Sequence, residues 1–157
     1  MNKISASFPM ASRSSRQLDS DGPKEFFYGT DNLSKNYKVE YVDSRIEPKS
    51  YFLCLLLFLE KIINRFTKFG IYKTRVFENK RFYNDSNIII SFTDSYSINL
   101  GLFYKKKKNQ KLIGVFHGLS DFELRIPFFF RSFFNFLFLK SLKKMDYCLF
   151  LGPEDLR

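Results

Sequence analysis

A chain of 157 residues is long enough for one domain with a real hydrophobic core, and 45% hydrophobic residues exclude a disordered polypeptide. Its 26 Lys and Arg against 16 Asp and Glu leave a net charge of +10, which favours an anionic partner, although a solvated basic surface accounts for it equally well. Cys54 and Cys148 lie in apolar runs and read as small core residues in a reducing compartment, and with one histidine and no CxxC pair they argue against a zinc site.

The N-terminal stretch MNKISASFPMASRSSRQ has no apolar segment of secretory length, and Asp19 and Asp21 argue against a transit peptide. Lys3 to Phe8 predicts a first strand that ends at Pro9, and the loop MASRSSRQLDSDG follows it. Gly22-Pro23-Lys24-Glu25 is a helix start, with Pro at the first position and an acid in the first turn. Phe26, Leu33 and Tyr37 space one apolar face to about Asn36, and the alternation from Tyr37 to Val42 predicts a strand. After Glu47-Pro48 a strong helix is expected from Ser50 to about Phe69, closed by Gly70. Its stretch Tyr51 to Leu59 is apolar all round but far shorter than the roughly twenty residues that cross a bilayer. Ile71 to Asp85 is ambiguous, with a short helix as one reading.

The next stretch carries the strongest signal. Ile88 to Phe92 is a β-branched run bounded by Asn and Asp, and Leu112 to Phe116 is a second apolar run; both read as buried strands. Between them a helix capped by Thr93, Asp94 or Ser95 would carry Ile98, Leu102 and Phe103 on one face and end in Lys105 to Lys108. Strand, helix, strand is a βαβ unit. Beyond it, Arg125 to Met145 predicts a helix in which seven of the 21 Phe fall between Phe128 and Phe138. Arg131 and Asn135, four apart, share one stripe, so this segment is not a membrane span. Tyr147 to Leu151 is a last strand, and Gly152-Pro153-Glu154-Asp155 starts another helix. That the chain stops there makes it read as the front part of a longer protein.

Strands alternating with helices imply an α/β fold: an open, mostly parallel, Rossmann-like sheet with helices on both faces and no internal repeat. Ligands of such sheets bind beyond the carboxyl ends of the strands. Those ends hold Asp94 and Ser95 after one strand, His117, Gly118 and Asp121 after the next, and Ser12, Arg13 and Ser14 after the first. His117 is the sole histidine, able to act as a base near neutral pH or to hydrogen-bond a sugar or phosphate; its bland alternative is a structural role. Gly118 lets the backbone turn or a ligand approach. Asp121 orients an imidazole, accepts from hydroxyls or caps a helix, and Asp94 and Ser95 either bind hydroxyls or cap a helix, with capping the simpler role. Arg13, Ser14 and Arg16 are able to meet an anion through side chains, or else form an ordinary polar loop. No GxGxxG, GxxxxGK[ST] or GxSxG sequence exists, which removes glycine-cradled phosphate binding and a serine nucleophile from consideration. The Phe-rich segment with Arg125, Arg131, Lys140, Lys143 and Lys144 is patterned like an interfacial helix on anionic lipid, or packs as filler between sheet and solvent. Its aromatics lie in core-like runs rather than on a basic strand face, so no nucleic-acid partner is expected.

The strands NIIISFTDS and LIGVFHGLSD, the terminal KKMDYCLFLGPEDLR and the order of elements resemble the amino-terminal half of a GT-B glycosyltransferase of the glycogen-synthase-like group 1, family 4 type. The resemblance spans nearly the whole chain and rests on loose motifs. It implies one acceptor-binding domain over residues 1–157, with the nucleotide-sugar held by a second domain that is absent here. It implies no other cofactor and no metal. On that pattern His117 and Gly118 face the interdomain cleft, Asp94 and Ser95 lie beside it, and the loop from Ser12 to Ser15 borders a sugar or lipid-linked acceptor. Many such enzymes serve cell-envelope polysaccharide synthesis at the inner membrane face, so a cytoplasmic, peripheral location and an anionic membrane partner are implied too. The first loop departs from the family in lacking a glycine pair, and without the second domain no turnover is expected.

Overall fold

The computed structural model of the chain describes residues 2–8, 30–44, 50–117 and 124–151. Five strands, β1 (Lys3–Phe8), β2 (Lys38–Asp43), β3 (Ile88–Ser91), β4 (Lys111–Phe116) and β5 (Tyr147–Phe150), form one sheet in the order β2-β1-β3-β4-β5. Every neighbouring pair is parallel. The helices are the single turn α1 (Thr30–Leu33), α2 (Tyr51–Thr67), α3 (Lys73–Asn84), α4 (Asp94–Phe103) and α5 (Phe128–Leu142). The fold is therefore α/β, an open Rossmann-like sheet as the alternation of strands and helices predicts, and its five described strands are all parallel. The chain leaves β1 toward β2, then crosses back over β1 to β3 and proceeds outward through β4 and β5. The point of reversal lies between β1 and β3, where ligands of open α/β sheets bind.

Side chains alternate across each strand. One face carries Val42, Ile89 and Leu112, buried against Val76 and Tyr83 of α3 and Tyr96 and Leu100 of α4, with Tyr104 just beyond it. Toward β5 the same face carries Phe116, which packs with Phe134 of α5 and stacks on Phe150 at 5.3 Å. The other face carries Ala6, Phe8 and Val115, also buried, so both faces of the sheet's centre are covered. Ser5 and Ser7 interrupt the apolar lining of β1 because their hydroxyls have partners there: Ser5 Oγ lies 2.6 Å from Ser86 Oγ, and Ser7 Oγ accepts from the Tyr83 hydroxyl.

Helix ends follow local chemistry, with two departures from expectation. Ser50 caps α2 as its spacing predicts, its Oγ accepting from Leu53 N–H at 3.2 Å. The helix closes at Thr67, with Lys68 in the left-handed region at φ 59°, rather than at Gly70, which supplies the second positive φ of the same linker. The ambiguous segment is the full 12-residue helix α3. Its buried face mixes Val76 and Tyr83 with Thr74 and Asn79, so hydrogen bonds replace part of the apolar stripe that would have announced it.

α4 is covered on two sides, Ile98 and Leu102 toward α5 and Leu100 and Phe103 toward the sheet and α3, instead of on one. It stops at Phe103, so Lys105 to Lys108 lie beyond it. Gly101 allows the close approach of α5: a Cβ there would meet Ser141 Oγ and lie 2.7 Å from the Ser141 carbonyl oxygen. α5 buries Phe134 and Ser141 but leaves Phe128, Phe129, Phe133, Phe136 and Leu139 exposed. No residue of α2 is buried, and Cys54, expected in the core, is exposed on it; Cys148 is half-buried. Among the described residues no helix is long and apolar enough to cross a membrane.

Candidate functional site at the carboxyl edge

The carboxyl edge is built from the last residues of β1, β3 and β4. Phe8 and Phe92 end β1 and follow β3, and their rings stack at 4.4 Å with 6° between planes, which closes the floor of the reversal point. Thr93 caps α4 by its extended backbone, without a side-chain cap bond, and its hydroxyl is buried with no hydrogen-bond partner among the described residues. Asp94, in the first turn of α4, accepts from the His117 backbone N–H at 2.7 Å. His117 Nε2 lies 3.1 Å from the Phe92 carbonyl oxygen. A carbonyl only accepts, so Nε2 is the donor of this bond.

These two bonds explain the local fold. β3 and β4 leave the sheet side by side, and the half-buried Asp94 and His117 join the two exits across 23 positions of sequence. The sequence placed His117, Asp94 and Ser95 at strand ends, and the structure brings His117 and Asp94 into contact. Ser95 is half-buried beside them, and its carbonyl accepts from Asn99 Nδ2 within α4. Ser12, Arg13, Ser14, Gly118 and Asp121 lie outside the described residues. Thr93 stands at the same strand end as Asp94 and Ser95, whereas Phe92 belongs to this site without having been singled out for it. Only its position directly after β3 signals it, because a stacked ring leaves no mark on a pattern of residue types.

Behind the edge sits a buried hydroxyl network. The Tyr83 and Tyr96 hydroxyls lie 2.9 Å apart, and Asn79 Nδ2 donates to Tyr96 at 3.1 Å and to the Asp43 carbonyl at 2.7 Å. Burial pushes the Tyr83 phenol well above its ordinary 10.0, with the neighbouring Tyr96 adding to the rise. Burial also raises Tyr96, against the opposing pull of its hydrogen bonds and of the Arg75 charge. Both phenols are therefore neutral donors that lock β1, the end of β2, α3 and α4 together. Among the described residues no group of three or more His, Cys, Asp or Glu is placed to hold a metal ion.

No protein family, no curated protein and no solved structure matches this chain. The geometry therefore carries the functional argument by itself.

Proposed function

We propose that the chain is the acceptor-binding domain of a peripheral-membrane glycosyltransferase of GT-B type, holding a sugar or lipid-linked acceptor at the carboxyl edge of its sheet while a second domain brings the nucleotide-sugar. The observation that carries this reading is the His117 imidazole, fixed at the end of β4 by the Phe92 carbonyl, with the His117 backbone held by Asp94, beside the reversal point between β1 and β3. An imidazole held through Nε2 at a strand end is placed to exchange a proton with an acceptor hydroxyl as it attacks an anomeric carbon. The Thr93 hydroxyl, which has no partner among the described residues, adds a group able to exchange a hydrogen bond with a sugar. Alone, such a domain binds acceptor and does not turn over. Its test is saturation-transfer NMR with a panel of neutral mono- and disaccharides. Binding to at least one sugar, weakened about tenfold or more by His117→Ala, supports the reading, and no binding across the panel contradicts it.

A second reading is a non-catalytic module that lies on an anionic membrane. The exposed faces of α2 and α5 favour it. Phe52, Phe58 and Phe66 on α2, and Phe128, Phe129 and Phe136 on α5, are each more than half exposed. The exposed face of α5 runs on to Lys143 and Lys144, which with Lys105 and Lys106 line a basic cleft of about 470 Å³. Aromatic anchors bordered by ammonium groups match an acidic lipid surface. Flotation with anionic but not zwitterionic vesicles, abolished by Phe58→Ser with Phe66→Ser and untouched by His117→Ala, is expected here. An unchanged distribution would refute it.

A further inference from the structure

A second cleft, away from His117, lies between α2 and α3. It has a volume of about 430 Å³ and is lined by Leu57, Glu60, Lys61, Asn64, Tyr72 and Arg75. Its walls are held rigidly. Asn64 clasps Ile71 with both halves of its amide, donating to the Ile71 carbonyl at 2.8 Å and accepting from its N–H at 2.6 Å. Asn99 Oδ1 accepts from Tyr72 N–H at 2.7 Å. Glu60 Oε1 accepts from both the N–H and the hydroxyl of Thr74, at 2.6 and 2.7 Å, and so satisfies the first turn of α3. The Arg75 guanidinium lies over the Tyr72 ring at 4.5 Å.

Two polar atoms of this frame are buried and have no hydrogen-bond partner among the described residues: Glu60 Oε2 and Arg75 Nε. Both residues line the same cleft, one carrying an acceptor group and the other a donor group. Arg75 also has no carboxylate partner among the described residues, although its planar fork is the side chain best suited to a two-pronged anion. A buried donor and a buried acceptor left open cost free energy unless something outside the chain meets them. One ligand satisfies both if it carries an anionic oxygen for Arg75, with Lys61 as second cation, and a hydroxyl for Glu60.

We propose that the α2–α3 cleft binds a phosphorylated sugar or polyol: the phosphate on Arg75 and Lys61, a hydroxyl on Glu60 Oε2, and the apolar ring face against Leu57. The volume falls within the few hundred Å³ usual for small-molecule sites. A soluble sugar phosphate and the headgroup of a phosphorylated lipid present the same chemistry. This assignment does not depend on the role of His117.

The test is calorimetric titration of the whole chain with glucose 1-phosphate, with inorganic phosphate and with glucose. Saturable binding in the order glucose 1-phosphate, inorganic phosphate, glucose is expected. Arg75→Gln weakens both phosphates about tenfold or more. Glu60→Gln keeps the oxygen that Thr74 needs but replaces the open acceptor with a donor, and so weakens glucose 1-phosphate alone. Should either variant fail to fold, Lys61→Ala, on the exposed side of α2, must still weaken both phosphates. Recruitment to phosphatidylcholine vesicles only when they contain phosphatidylinositol, lost in Arg75→Gln, assigns the lipid headgroup; binding of glucose 1-phosphate without recruitment assigns a soluble ligand. No saturable binding of glucose 1-phosphate, or equal binding by wild type and all three variants, overturns the proposal.

Discussion

Asp146 is a largely covered carboxylate that ties three parts of the fold together. It sits just before β5, where Oδ2 accepts from Lys106 Nζ at 2.6 Å and from Leu112 N–H at 2.8 Å, and Oδ1 accepts from Lys111 Nζ at 3.2 Å. One carboxylate thus fastens the entry of β5 to β4 and to the lysine run after α4. Burial by itself would push its carboxyl up, but the Lys106 ammonium, the Leu112 N–H and the Lys111 ammonium outweigh burial and lower it from 3.8 to about 2. A carboxyl depressed in the folded state contributes stability that is complete above its unfolded value and lost as pH falls through its folded one. The window therefore lies between about pH 4 and pH 2. The full shift corresponds to about 2 kcal/mol, and solvent screening around the side chain brings the expected effect to about 1–2 kcal/mol. Asp146→Asn removes the charge while keeping an acceptor for Leu112. In urea titrations the variant should be less stable by that amount at pH 7, by about half of it at pH 3, and should converge on wild type near pH 2. An equal stability difference at pH 7 and pH 3 would refute the electrostatic account and assign the loss to packing.

Gly101→Ala pushes a methyl group into Ser141 and should cost about 1–3 kcal/mol; adding Ser141→Gly recovers only part, because the Ser141 carbonyl oxygen lies 2.7 Å from the new Cβ. A variant as stable as wild type in thermal denaturation would mean that α4 and α5 slide apart freely. Tyr83→Phe removes a hydroxyl that bridges Tyr96 and Ser7 and should cost about 1 kcal/mol at pH 7. Because burial raises the Tyr83 and Tyr96 phenols above 10.0, their contribution is complete below pH 10 and declines as pH rises toward their folded values. Alkaline unfolding, followed by circular dichroism, should therefore be less steep in Tyr83→Phe than in wild type.

The inner strands β3 and β4 were legible because each is a short apolar run with its own boundary, and β2 because its residues alternate. Ile88 to Ser91 lies between Asn87 and Thr93, and Lys111 to Phe116 ends at His117-Gly118. α3 was not, since Asn79 and Thr74 occupy its buried face and are satisfied by Asp43, Tyr96 and Glu60, residues of other elements. α2 misled in the other direction. Apolar residues at helical spacing normally mark a core, yet Phe58 and Phe66 face outward, and Cys54 goes with them. At the candidate site, strand-end position was enough to single out His117 and Asp94, whereas their mutual contact, the Phe8–Phe92 stack and the open Thr93 hydroxyl arise from tertiary geometry alone. The α2–α3 cleft was invisible for the same reason: Glu60 and Arg75 read as ordinary helix-surface charges until their buried faces are seen.

The central claim is that the edge around His117 receives a sugar, and one spectrum addresses it directly. His117 is the chain's only histidine, so its ring nitrogens give a single pair of signals in a long-range ¹⁵N–¹H correlation experiment. In the free protein that pair should report a protonated Nε2. On titration with a sugar acceptor the Nδ1 signal should move saturably, and Asp94→Ala should weaken the response. Ring signals that stay fixed for every sugar, while vesicle binding persists, would contradict an acceptor site at this edge.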